Sequence, residues 1–401
     1  MSAPAWLQQD LRLELPDAVR GDGIRLWDSE GREYIDACSG AISVISIGHG
    51  VREVAEAMAT QARELAYVHS TQFRHRVGEE LAATIAGHAP GSLDHVCFYS
   101  GGSEAIEAAV KLARHYHLLR GNESKHLVLT RPRSYHGATL FALGIGGVAS
   151  RQAPYTPYLS MTPRHDPHSA DDLERVIAEL DADNVSCYIA EPIGGAAWPG
   201  FTPAPGYYER IREICDAHGI LFIADEIITG WGRTGKTFGI EHWDAQPDMI
   251  VSAKGLSGGY VPLSAVIFSD EIASVFADGA TPFVHNLTYE AHPVAAAAAL
   301  VVIGIIERDG LVENAARQGK RLFAGLTDLV GGDVGGKGLL AAVGSSDARR
   351  LRDLARDRGL MVYPGADNDA VMVTPPLIVT DEEVDLIVER LALALRDFGR
   401  V

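Results

Sequence analysis

The sequence predicts an α/β protein, with a large domain around a mostly parallel sheet and a smaller α+β domain built from both chain ends. Three observations point there. Between about residues 70 and 295, short apolar runs alternate with amphipathic segments at helical spacing, the pattern of strands covered on both faces by helices. Beyond that stretch, long helical segments and a few short apolar runs take over. At 401 residues the chain also exceeds what one compact core usually organises. The expected divisions are 1–50, an amino-terminal segment joining the small domain, then 51–295, the large domain, and 296–401, the carboxy-terminal small domain.

In chain order, a hairpin is expected from Ile24 to Trp27 and from Glu33 to Asp36, turning through Asp28-Ser29-Glu30-Gly31. A helix should follow over about Val51 to Leu65. Strands are expected near Asp94 to Tyr99, His126 to Thr130, Val185 to Ala190, Ile220 to Ala224, Met249 to Ser252 and Ser264 to Phe268. Helices near Ser103 to Leu119, Asp171 to Leu180 and Gly206 to His218 should cover them. In the small domain, helical spacing runs over about Pro293 to Glu307, Glu313 to Leu329, Asp347 to Arg358 and Asp381 to Phe398. Short strands are expected near Gly338 to Val343, Met361 to Tyr363 and Ala370 to Val373.

Composition narrows the functional classes. A formal charge of −18 argues against nucleic acid as partner, because phosphate backbones attract basic surfaces. No apolar stretch reaches the roughly 20 residues that cross a bilayer. The start, Met1-Ser2-Ala3-Pro4-Ala5-Trp6, has no basic segment followed by an apolar run, so no signal peptide is expected. Cys38, Cys97, Cys187 and Cys215 are scattered without metal-type spacing, a usage that fits a reducing compartment. The expectation is a soluble, cytoplasmic protein with no metal site.

Four local patterns carry chemistry. Ser100-Gly101-Gly102-Ser103-Glu104 runs from a strand through a glycine turn into a helix, whose unpaired N–H groups suit a phosphate; Ser103 reads equally as an ordinary helix cap. Asp225 and Glu226 end a buried strand where α/β ligand crevices form; a lone acid there reads as a metal ligand, a helix cap or an ion-pair partner, and the lack of an Asp/His cluster with metal spacing disfavours the first. Lys254 follows the strand Met249 to Ser252 and precedes the Gly-rich run Gly255-Leu256-Ser257-Gly258-Gly259. Burial there would favour the neutral amine that Schiff-base chemistry needs, though a lone lysine more often lies on a surface. Ser134-Tyr135-His136-Gly137 offers an aromatic that either stacks on a planar ligand or packs in its loop.

Together these segments resemble the class III aminotransferases, a subgroup of the fold type I pyridoxal-phosphate enzymes. The resemblance spans about residues 24 to 380. Its most specific stretch is Leu221-Phe222-Ile223-Ala224-Asp225-Glu226-Ile227-Ile228-Thr229-Gly230-Trp231-Gly232-Arg233-Thr234-Gly235-Lys236, with the Lys254 segment following at the family distance. It implies a transaminase that moves an amino group from an amine or amino acid to a keto acid or aldehyde by a ping-pong route. Lys254 would form the Schiff base with pyridoxal 5'-phosphate and shuttle the proton, and Asp225 would pair with the ring nitrogen. Tyr135, with His136 beside it, and Ile227 would flank the ring. Gly102 and Ser103 would cradle the phosphate, and Glu191 would help position the substrate. Thr288, in Thr288-Tyr289-Glu290-Ala291-His292-Pro293, would reach the phosphate in the other subunit of a homodimer with shared sites.

Four departures bear on substrate. Ser100-Gly101-Gly102-Ser103 replaces the common Asn-Ser-Gly-Ser, Ile228 stands where the ornithine branch has Gln, and Ala291 replaces Gly. The tail around Tyr363-Pro364-Gly365 and Val371-Met372-Val373-Thr374 lacks the family's arginine for a substrate carboxylate. A racemase, epimerase or decarboxylase on the same fold remains the alternative, since the steps up to the carbanion are shared.

Overall fold

The computed structural model describes residues 14–277, 281–332 and 334–399. The residues read for a leader lie outside these. Six apolar runs form one sheet: His95–Tyr99, Leu127–Thr130, Val185–Ala190, Leu221–Asp225, Met249–Ser252 and Ser264–Phe268. Across the sheet they stand in the order His95, Ser264, Met249, Leu221, Val185, Leu127, each named by its first residue. The four strands from Met249 to Leu127 are parallel neighbours. Ser264–Phe268 runs antiparallel to both of its partners. The sheet is therefore mostly parallel, as expected, with one reversed strand wedged near its edge.

Parallel neighbours need long crossovers. Helices Gly102–Leu119, Ala170–Leu180 and Tyr207–His218 occupy the chain between successive strands. Every residue of Val185–Ala190, Leu221–Asp225 and Met249–Ser252 is buried, so these strands are covered on both faces and their chemistry is confined to their ends. A second helical layer packs Arg52–Glu64 and Arg76–His88 onto Pro293–Arg308. The last is apolar almost all round, as a helix with neighbours on several sides must be. Arg76–His88 was not expected, because Arg76, Glu79 and Glu80 dilute the apolar positions Leu81 and Ile85 that it buries.

The expected hairpin is Arg25–Asp28 paired antiparallel with Glu33–Asp36. Ala18–Asp22 extends it on one side and Leu360–Met361 pairs parallel with Glu33–Asp36 on the other. A further sheet carries Gly335–Lys337, Leu340–Gly344, Ala370–Val373 and Tyr363–Pro364. The single strand expected near Met361 to Tyr363 is thus two, and the chain passes between sheets at Val362. Pro364 lacks an N–H, which confines it to a sheet edge, and Tyr363–Pro364 is an edge strand. Buried Arg233 ties these parts together, donating to the carbonyls of Leu339 (3.1 Å) and Pro375 (2.5 Å) and to Ser39 Oγ (3.1 Å).

Candidate active site

Leu221–Asp225 and Met249–Ser252 are parallel and in register, Asp225 lying opposite Val251, so their carboxyl ends open on the same edge of the sheet. Asp225 is the last residue of its strand, and Lys254 comes two residues after the end of the other. Ala253 is extended, and then Lys254 turns to φ +43° to start a short turn. That left-handed conformation costs a residue with a side chain on the order of 1 kcal/mol, strain of a kind that gathers at functional sites. Burial pushes the Lys254 amine down from 10.5 to about 8, while the carboxylates of Asp225 and Glu191 oppose the shift.

Asp225 is held from two sides. Ile227 N–H donates to Oδ1 at 3.2 Å, and the His136 imidazole, itself buried, donates from Nδ1 to Oδ2 at 2.7 Å. His136 Nε2 is buried and has no partner among the described residues. Glu191 is also buried. Its Oε2 accepts from Tyr135 N–H (3.2 Å) and its Oε1 from Gly195 N–H (3.1 Å). Burial raises its pKa, and the charge of His136 works against that rise. Beneath it, buried Arg131 donates to the Glu191 carbonyl, which also accepts from Tyr208 Oη at 2.7 Å.

The glycine turn forms another part of the site. Glu104 reaches back to the N–H groups of Ser100 (2.9 Å) and Gly101 (3.1 Å). Gly102 and Ser103 then head the helix, where no intrahelical carbonyl reaches their N–H groups. Ser103 Oγ accepts from Ala138 N–H at 3.0 Å, which leaves its own proton to donate. Glycine keeps two close approaches open, and the backbone demands it at the second. A Cβ on Gly102 would stand 2.8 Å from Ile227 Cδ1, and one on Gly137, at φ +146°, 2.6 Å from Ser103 Oγ.

A cavity of about 410 Å³ joins these parts. Lys254, Asp225, Gly102, Ser103, Tyr135, His136, Glu191 and Ile227 all line it. Thr288 does not; it lies on an exposed loop, and its carbonyl accepts from Tyr67 Oη at 2.6 Å. Sequence reasoning missed the apolar lining from Val44, Ile193 and Val261 to Leu263, which carries no motif. It also missed Arg131, for which the available signal was its place directly after a buried strand. The Arg151 guanidinium, 4.9 Å from the Tyr135 ring centroid, had no signal at all.

The model of the family Aminotransferase class-III matches residues 10–395. The chain is a class III aminotransferase. It is 34% identical to an uncharacterized aminotransferase, YodT, of Bacillus subtilis, with 95% of each chain covered. It is 33% identical to the putrescine–pyruvate aminotransferase of Pseudomonas aeruginosa, over 92% of this chain and 88% of that one. Among solved structures, an (S)-enantioselective ω-transaminase from Thermomicrobium roseum superposes with a TM-score of 0.92 at 35% identity, covering 96% of this chain and 93% of that one. An amine transaminase from an uncultivated Pseudomonas species, in its PLP-bound form, gives 0.91 at 32% identity, with 99% and 98% covered.

This aminotransferase depends on pyridoxal phosphate, and the cavity fits that group. A cradle that a Cβ on Gly102 or Gly137 would fill stands at the helix start, suited to the phosphate. The same cavity is lined by an amine that burial makes easier to deprotonate and by a buried carboxylate. Among the described residues no helix is long and apolar enough to cross a membrane.

Proposed function

We propose that Lys254 is the residue to which the cofactor attaches and the base that carries the proton in amino transfer. One observation carries this reading: an amine depressed to about 8, a buried carboxylate and a glycine cradle line the same cavity. When bound, pyridoxal phosphate supplies an aldehyde for the amine and a ring that accepts the electrons left when a proton leaves the substrate carbon. Lys254 near neutral pH holds an appreciable neutral fraction, so it serves first as nucleophile and, once displaced by the incoming amine, as general base and acid. Asp225, fixed by His136 and Ile227 N–H, would hold the proton of the ring nitrogen. Gly102 and Ser103 N–H groups and the Ser103 hydroxyl would take the phosphate. Tyr135 and Ile227 would serve the ring, and Glu191 would orient the substrate side.

The donor class we assign is a primary amine without a carboxylate on its reacting carbon, with a keto acid or aldehyde as acceptor. Lys254 is the one lysine or arginine among the described residues lining the cavity, and its walls at Val44, Ile193, Ile228 and Leu263 are apolar. Putrescine, β-alanine and taurine, from the names of its relatives, share a terminal amine of that kind. The working unit is a homodimer in which Thr288 serves the neighbouring site. Its support is an exposed apolar patch around the Thr288 loop, where Tyr67 and Tyr289 lie 5.9 Å apart ring to ring and Val284 is 72% exposed. Free cysteines and a strongly acidic chain fit a cytoplasmic location.

The test is a half-reaction. Donor amine without acceptor should discharge the visible band of the lysine-bound cofactor stoichiometrically, and a keto acid should restore it. A band that survives donor alone while substrate racemises would overturn amino transfer. Lys254→Ala that keeps both band and turnover would overturn the lysine. A monodisperse monomer with full activity in light scattering would overturn the dimer.

A further inference from the structure

Only six of the 35 basic residues in this chain are lysines: Lys111, Lys125, Lys236, Lys254, Lys320 and Lys337. Lys254 belongs to the active site. Lys125 is buried and spends its amine on the carbonyls of Ala182, Val185 and His218, at 3.0, 3.1 and 3.1 Å. Lys111 stands 3.2 Å from His285 Nδ1. The other three converge elsewhere. Lys320 and Lys337 line a second cleft of about 340 Å³, together with Thr234, His242 and Phe323. Lys236 follows Gly235 of the same wall, and its charge and that of Lys337 both reach the His242 ring, where they add to the effect of burial in lowering its pKa.

Among the described residues no acidic side chain lines this cleft. Among the described residues no hydrogen bond or ion pair engages the amines of Lys236, Lys320 or Lys337. The contrast with Arg321, one residue from Lys320, is direct: its guanidinium is paired with Asp385 at 2.5 Å and Asp381 at 3.4 Å. The like charges of Lys320 and Lys337 face one concavity, with that of Lys236 beside it, and they repel one another unless a counter-charge lies between them. Part of the lining is bare backbone, Gly319 and Gly338 approaching so closely that a Cβ on Gly319 would meet Gly338 at 2.5 Å. Glycines on either side of Lys337 also let an oxyanion come near the main chain.

We infer that this cleft binds a phosphate-bearing anion, held by Lys320 and Lys337 beside the glycine backbone, with the charge of Lys236 nearby and Phe323 as a wall for an organic part. Compact, triply donating ammonium groups suit a tetrahedral oxyanion. The cleft lies between the loop that follows Asp225 and the helix Leu311–Val330, so an occupant would join the cofactor side of the large sheet to the carboxy-terminal part.

The probe is pyrophosphate, titrated calorimetrically into the cofactor-loaded enzyme at fixed ionic strength, with the visible cofactor band recorded throughout. One saturable site per chain is expected, with the band unchanged. Lys320→Gln with Lys337→Gln should weaken binding at least ~10-fold, the loss of two charge-assisted contacts. Lys320→Arg with Lys337→Arg should retain it, which also decides the matter if the glutamine pair fails to fold. Lys111→Gln should leave it unchanged. The inference is overturned if no saturable binding occurs, if the glutamine pair binds as tightly, or if Lys111→Gln loses as much. Citrate binding with equal affinity overturns the phosphate class.

Discussion

Replacing Lys254 by methionine, which keeps the length of the side chain and removes its charge, should stabilise the cofactor-free protein at neutral pH. The lysine amine is depressed from 10.5 to about 8, and that figure already includes the attraction of Asp225 and Glu191. A shift of this size corresponds to ~3 kcal/mol of unfavourable protonation in the folded state. Lys254 is half-buried, and its access to water brings the expected gain to ~1–2 kcal/mol. Below pH 8 the folded and unfolded chains both bind the proton, and the folded chain carries the full penalty. Between pH 8 and 10.5 the unfolded chain retains a proton that the folded chain has lost, so wild-type stability rises with pH. Above that window neither binds it. The advantage of Lys254→Met should therefore be complete at pH 7 and nearly gone by about pH 10.5. Urea unfolding of both cofactor-free proteins at pH 7 and pH 9.5 reads this directly, and the φ of +43° is common to both. A variant no more stable at pH 7, or a gap that does not narrow as pH rises, would refute the assignment of a strained, desolvated amine.

Glu191→Gln removes a charge that raises the Lys254 pKa, so the pH profile of cofactor attachment, followed by visible absorbance, should move to lower pH. An upward shift would count against the pairing. Gly137→Ala should lose cofactor on dialysis far more readily than Gly102→Ala: its Cβ meets Ser103 Oγ at 2.6 Å and Ala142 Cβ at 2.9 Å in a left-handed backbone, whereas Gly102 presses on the flexible end of Ile227. His136→Leu takes the 2.7 Å bond from buried Asp225 and should lower stability by ~1–3 kcal/mol, measured by denaturation without cofactor. Trp231→Phe should cost ~1 kcal/mol by orphaning Ser252 Oγ, now 2.7 Å from the indole nitrogen, with little effect on turnover.

What the sequence by itself determined was the part of the protein encoded locally. Burial on both faces makes strands such as Val185–Ala190 continuously apolar, and the periodicity of helices such as Asp381–Phe398 shows in any single window. The residues proposed for the reaction could be named from sequence for a related reason. Asp225, Lys254 and Ser103 each sit where a strand or turn ends, inside a run whose order resembles one family. Tertiary structure alone decided the rest. Leu360–Met361 pairs with Glu33–Asp36 across more than three hundred residues, and no local pattern carries that. Likewise the His136–Asp225 bond joins positions 89 residues apart, and the depression of the Lys254 amine depends on how completely neighbouring elements exclude water. Lys320 and Lys337 came to share a cleft only once the loop at Gly235, the helix Leu311–Val330 and the strand Gly335–Lys337 had packed together. Local chemistry is written residue by residue, but charge, desolvation and pairing are properties of distance, and only the folded chain sets distance.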